Sequence, residues 1–240
     1  MSIHGTGNFL SWHRYYIWAC EQALRNECGY KGYLPYNNWS KWAKDPLASL
    51  LFDGSKTSIS GDGDWKINLG PMQTTAKGVP PNPQADGLGY NPRCLSRDIN
   101  TQASNETRDE MVVDLITNYP DILSFQNKMQ NFTLGVMGVH NGGHYTIGGD
   151  SGMDMFNSPA DPSFYFHRTM IDRVWWTWQA RDLKKNRPNI IAGTMTFLNN
   201  PPSRNTNLDD VLSVGYVGKP NITIKDAQST IAGPFCYVYA

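Results

Sequence analysis

The sequence predicts a mainly α-helical protein, an antiparallel four-helix bundle with long loops and a few short C-terminal strands. Three observations carry that reading. Apolar residues recur at three- and four-residue spacing in separate stretches. The text between Asp53 and Asn105 is rich in Gly, Pro, Asp, Ser and Asn with little periodicity. Short alternating runs follow Asn199.

The first helix begins at Phe9, where Phe9, Trp12, His13, Tyr16, Ile17, Cys20, Ala23 and Leu24 share one face. That puts His13 on the buried side. A second runs from about Asp109 to Tyr119 on a stripe of Met111, Val112, Leu115 and Ile116, and Pro120 ends it because proline breaks the helical ladder. "PDILSFQNKMQNF" then restarts a helix. Another opens at "ADPSFYFHRTMIDRVWWTWQARDLKK", with Asp161 as N-cap, Pro162 at the first helical position, and His167, Ile171, Val174, Trp175 and Trp178 on one face. His167 therefore faces inward too. A loop as long as that from Asp53 to Asn105 covers a functional surface or is disordered. Asp62 and Asp64 in "GDGDW" lack the closing Glu of a calcium loop, which favours a turn. "VLSVGYVG", "NITIKD" and "FCYVYA" read as strands or extended wrapping segments. With no internal repeat, residues 1–240 are read as one domain.

Lys plus Arg equals Asp plus Glu at 21 each, which leaves no basic field for nucleic acid or anionic lipid. The expected partner is a small neutral molecule. No window approaches the roughly 20 apolar residues of a membrane span, and "MSIHGTGNF" has neither the basic nor the apolar region of a signal peptide. Cys20, Cys28, Cys94 and Cys236 form an even set with no C-x-x-C pairing, which fits two disulfides or, less well, buried thiols. Acceptor sequons stand at Asn38, Asn105, Asn131 and Asn221. Together these predict a secreted glycoprotein. Oligomeric state is not legible.

The five histidines fall into two sets. In "HNGGH", His140 and His144 lie one helical turn apart, the spacing at which two imidazoles share one metal ion, and His167 joins them from an inward helix face. His4, in the Gly-rich "IHGTGNF", and His13 form the other set. Any one of these alone reads more simply as a hydrogen-bonded core residue or, for His4, an exposed one. All five falling into two inward clusters argues against that. A zinc peptidase would carry a catalytic Glu where Asn141 stands, and a di-iron site would take carboxylate ligands. A pair of copper ions fits the imidazole sets better.

These motifs resemble those of the type 3 dicopper proteins: tyrosinases, catechol oxidases and the related haemocyanins. The resemblance rests on "HGTGNFLSWHRYY", on "HNGGH" through "SPADPSFYFHRTMIDRVWWTWQ", and on Tyr237 and Tyr239 of "CYVY", and it leans toward the short fungal tyrosinase-like oxidases. It implies His4 and His13 on a first copper and His140, His144 and His167 on a second, with Asp172 and Arg173 in a structural role. Dioxygen and a small phenol would then be the partners. The implied activity is that of a polyphenol oxidase, converting o-diphenols, with o-aminophenols or monophenols as further candidates, to o-quinones. A dioxygen carrier and a copper-deficient, non-catalytic paralogue or truncated product are the alternatives.

Departures from the family pattern sharpen these expectations. The remaining ligand of the first copper belongs upstream of His4, where only three residues stand, so the first copper site is expected to be incomplete. Arg168 replaces the second residue of the family's His-His pair, Asn37 replaces a Trp in "LPYNNW", and Ser2 stands where some members carry a cross-linked cysteine. Met155 or Phe156 in "GMDMFNSP" is the expected substrate gate. Asn141 matches the residue that helps hold an activating water, while the segment that supplies its acidic partner offers only Gln126 and Gln130. Weak hydroxylation of monophenols follows.

Overall fold

The computed structural model describes residues 3–62, 82–87, 89–90, 95–132, 136–182 and 187–240. Ser2, Asp64 and Cys94 lie outside them. Helices α1 (Phe9–Cys28), α2 (Trp39–Trp42), α3 (Thr101–Ser104), α4 (Asp109–Asn118), α5 (Ile122–Gln130), α6 (Gly138–Ile147), α7 (Gly149–Gly152) and α8 (Ser163–Ala180) precede strands β1 (Val211–Leu212) and β2 (Ile222–Thr223). The fold is mainly helical, as expected. None of the helices among the described residues is long and apolar enough to cross a membrane.

The chain resolves into two compact units. One comprises Met1–Asn37, Asp109–His140 and Tyr165–Ala240, the other Asn38–Arg108 and Asn141–Phe164.

In the first unit α1 starts at the expected residue, but its buried face is wider than the sequence stripe. Leu10, Arg14, Tyr15 and Ala19 are buried beside Phe9, His13 and Ile17. The reason is a second cover: Tyr15 packs into a cluster with Leu212, Val214, Ile224, Ala227 and Phe235 from the C-terminal segments. Of the α4 stripe only Leu115 is fully buried. Asp121 caps α5, its Oδ1 accepting from the Ser124 N–H at 2.8 Å. Phe125 then meets Trp178 of α8 with ring centroids 4.9 Å apart, a contact that contributes about 0.5–1.5 kcal/mol beyond area burial. The strands are only two residues each, pairing antiparallel with Val211 opposite Thr223. "FCYVYA" forms no strand and wraps instead, with the Tyr237 N–H donating to the Thr230 carbonyl at 2.9 Å.

The disulfide expectation is corrected. Cys20, Cys28 and Cys236 are free thiols. Cys20 and Cys28 lie eight residues apart on α1, about 12 Å along the axis, roughly twice the Cα separation a disulfide spans.

In the second unit Asp161 caps the start of α8 as expected, its Oδ1 accepting from the Ser163 N–H at 2.8 Å. The same carboxylate takes both Arg97 Nε and Nη2 at 2.8 Å, and Arg97 Nη1 donates to the Ile59 carbonyl at 2.7 Å. This bidentate pair ties the Asp53–Gly61 turns to the helix start. Asp62 accepts from the Ile99 N–H at 2.8 Å.

Candidate metal centre

Two glycines set the position of α6. Gly138 has φ +65°, and a Cβ there would stand 2.3 Å from the Lys128 carbonyl oxygen. Within the helix, a Cβ on Gly142 would stand 2.6 Å from Glu106 Cβ. No larger residue fits either place, and the helix they allow presents His140 and His144 one turn apart.

The ligand atoms of His140, His144 and His167 all lie within 4.8 Å of one another. Three imidazoles this close together would be the residues to hold one metal ion. His140 and His167 are buried with ring centroids 5.9 Å apart, while His144 is half-buried with its ring 6.0 Å from Phe164. Burial, then the nearby Arg168 cation, holds the His167 imidazole well below the usual histidine range, against a backbone hydrogen bond at His140. A neutral imidazole is the ligand form.

His4 and His13 also come together, with ring centroids 5.0 Å apart. His4 lies 5.5 Å from His140, and Phe9 packs against His4, His13 and His140 at 5.9, 5.1 and 4.9 Å. The two rings differ in which nitrogen is available. His13 Nδ1 is 2.7 Å from the Phe9 carbonyl, and a carbonyl only accepts, so Nδ1 carries the proton and Nε2 keeps its lone pair. For His4 the neighbour is Arg168 Nη2, 2.9 Å from Nε2. Arginine only donates, so His4 Nε2 is the acceptor and Nδ1 holds the proton. That Nδ1 is buried without a hydrogen-bond partner. Burial first and Arg168 second push the His4 imidazole down to about 3. Burial, Arg168 and His4 hold His13 well below its ordinary value, against the Phe9 hydrogen bond.

The other expected site residues are placed as follows. Gln130 is buried, and its Oε1 accepts from the Gly5 N–H at 2.9 Å, so it holds the backbone beside His4. Gln126 Nε2 donates to the Ala192 carbonyl at 2.7 Å. Asn141 is half-buried on α6. Met155 is 41% and Phe156 79% exposed, both just beyond α7. Asp172 accepts from Arg14 Nε and from the Tyr237 and Tyr239 hydroxyls, each at 2.6 Å. Arg173 lies over the Tyr36 ring at 4.9 Å. Sequence reasoning did not anticipate that Arg14 and Arg168 are fully buried; each directly follows a candidate ligand histidine, which is the one signal it offered. A cavity of about 500 Å³ bounded by Trp18, Tyr33, Tyr36, Cys236, Tyr237 and Tyr239 contains none of the histidines.

A family profile described as the common central domain of tyrosinase matches residues 1–181. The chain belongs to the tyrosinase family. It is 35% identical to "Tyrosinase P" of Aspergillus terreus over 277 residues, covering 100% of this chain and 76% of that protein. It is 30% identical to the "N-acetyl-6-hydroxytryptophan oxidase ivoB" of Emericella nidulans over 286 residues, covering 100% of this chain and 77% of that one. Among solved structures, a polyphenol oxidase mutant from Thermothelomyces thermophila matches with a TM-score of 0.89 at 35% identity, covering 100% of this chain and 74% of that chain. The chain is thus an oxidoreductase of the tyrosinase family, a family that implies a dinuclear copper centre. The three-histidine group fits one copper: all its donors are imidazoles, and the burial of His140 and His167 favours the neutral form. At the other position His13 fits, and His4, as it is hydrogen-bonded here, does not.

Proposed function

We propose that this chain is a copper-dependent oxidase converting o-diphenols to o-quinones with dioxygen. The observation that carries the reading is the convergence of His140, His144 and His167 on one ion-sized space, inside a fold shared with a polyphenol oxidase. Copper bound there supplies the one-electron redox chemistry that couples the phenol to dioxygen. The balance is closed: two o-diphenols release four electrons and four protons in all, and one dioxygen takes them up as two waters.

The chain's own residues hold the geometry. Burial keeps the imidazoles neutral, the Phe9 carbonyl fixes the His13 ring, and Gln130 anchors the His4 backbone. The Gln126 and Gln130 side chains of α5 both bond to backbone groups, and an amide polarises water far less than a carboxylate does. This supports a preference for o-diphenols over monophenols, whose hydroxyl of pKa about 10 needs a base. Asn141 remains the candidate to hold a water there. Met155 and Phe156, exposed beyond α7, are the candidate gate. Export and glycosylation are supported by sequon asparagines at exposed Asn38, Asn105 and Asn221.

The test is reconstitution with copper followed by parallel oxygen-electrode and quinone-absorbance assays on 4-methylcatechol. Two quinones per dioxygen, lost on chelation and regained on adding copper back, is the expected outcome. Failure of the copper-loaded protein to consume dioxygen with any o-diphenol overturns the proposal. A second reading, a copper-deficient paralogue without turnover, is favoured by one observation, the contact between Arg168 and His4.

A further inference from the structure

The Arg168 side chain is 1% exposed, yet it carries a guanidinium. Burial works against that charge, but arginine keeps its proton in proteins. Among its contacts, Nη2 lies 2.9 Å from His4 Nε2, and Cζ lies 5.7 Å from the centre of the Phe9 ring. The hydrogen-bond inventory then decides what His4 can do. Its Nε2 lone pair is committed to Arg168, and its Nδ1 carries the ring proton, so neither nitrogen is free to bind a metal. His13, 5.0 Å away, faces the same cation. A divalent ion beside His13 would therefore lose one ligand and sit against a fixed positive charge in a site shielded from water.

We propose that Arg168 is a latch on the first metal position: its guanidinium occupies the ligand nitrogen of His4, so the folded chain takes up one copper, at His140, His144 and His167, and the position at His4 and His13 opens when this side chain is withdrawn or replaced. The proposal rests on the copper-oxidase reading above and adds to it the residue that limits it. The chain with Arg168 in place oxidises o-diphenols slowly, because the two electrons of each diphenol must leave through a single redox ion. The latch depends on a hydrogen bond and a charge, so it separates from any effect of a ligand elsewhere in the chain.

Three full-length proteins test it: the parent, Arg168→His, which offers an imidazole in place of the cation, and Arg168→Met, which removes the cation while keeping length and apolar bulk. Each is loaded with Cu(II), dialysed, and read by elemental analysis and electron paramagnetic resonance, with circular dichroism reporting folding. The parent is expected to retain about one copper per chain with a full mononuclear Cu(II) signal. Arg168→His is expected to retain about two with most of that signal lost to coupling, and Arg168→Met a second copper held at least tenfold more weakly than the first. The parent count needs no variant to fold. Two tightly held coppers in the parent overturn the latch and leave the oxidase reading standing. No copper in the parent overturns both. One copper in all three folded proteins shows that Arg168 is not what closes the position.

Discussion

Asp172→Ala tests what holds α1 and α8, two of the ligand-bearing helices, in register. Asp172 is buried on α8, five residues beyond His167, and Arg14 is buried on α1, immediately after His13. Arg14 Nε meets Asp172 Oδ1 at 2.6 Å. The same guanidinium donates to the Ala227 and Gln228 carbonyls at 3.2 and 2.9 Å and to Gln179 Oε1 at 3.3 Å, and lies 3.8 Å over the Trp175 ring. On its other oxygen Asp172 accepts both C-terminal tyrosine hydroxyls. Burial and the neighbouring carboxylate hold both phenols well above their ordinary value, so they remain donors at any working pH.

Truncating Asp172 leaves Arg14 as a buried cation without its counter-charge, a change that costs about 3–5 kcal/mol. At roughly 2–4 °C per kcal/mol for a chain of this size, the melting temperature falls by roughly 6–20 °C. Tyr237→Phe and Tyr239→Phe each remove one charge-assisted bond and lower stability by about 1.5–3 kcal/mol. The Arg14→Met, Asp172→Leu double variant exchanges the ion pair for apolar volume and recovers most of the loss, since a buried pair is costly to break but not to replace. Urea melts followed by tryptophan fluorescence give each value. If Asp172→Ala melts within about 2 °C of the parent, or the double variant is worse than the sum of the singles, the network is not what holds the tail and helices together.

Gly138→Ala places a Cβ against the Lys128 and Met129 carbonyls at a left-handed φ; a loss of more than about 1 kcal/mol in urea melts, with weakened copper binding at His140, is expected. For the metal-free chain, His4, His13 and His167 all have folded-state values below the unfolded 6.5, so the unfolded chain binds more protons below that pH. Stability is then full above pH 6.5 and falls as pH drops toward 3, by up to about 1.4 kcal/mol per pH unit for each histidine, which acid titration of the chelated protein measures. Phe156→Ala and Met155→Ala, compared by kcat/KM on catechol and a 4-tert-butyl catechol, are expected to shift that ratio at one position or both; an unchanged ratio at each removes both from the gate. Gln130→Met, which cannot accept from the Gly5 N–H, is expected to lower o-diphenol turnover, whereas Gln130→Glu keeps the acceptor and raises the tyrosol-to-catechol rate ratio; equal effects of the two changes would falsify the anchoring role.

Both what was legible in the sequence and what was not trace back to neighbouring residues on the same helices. His13 and His167 could be placed inward from helical spacing, and the i, i+4 pair in "HNGGH" announced a shared ligand, because these signals are local and imidazole is a rare side chain. Arg14 and Arg168, one residue further along, could not be placed. A stripe of spaced apolar residues marks one covered face, and the residue next to a ligand histidine points about 100° away from it, onto a side expected to meet solvent. On α1 the wrapping segments from Leu208 to Tyr237 cover that side as well. Arg14 thereby acquires Asp172, 158 positions away, and Arg168 acquires His4, 164 positions away. Spacing alone cannot register either pairing. The same reasoning applies to Gln130: its type and segment mark it as standing where the acidic partner of Asn141 belongs, but its own partner, the Gly5 N–H 125 positions earlier, is not visible in the sequence. Five candidate ligands could be recognised from residue type and spacing. Whether each one can bind depends on which of its nitrogens a distant side chain already holds, and at His4 that side chain is Arg168.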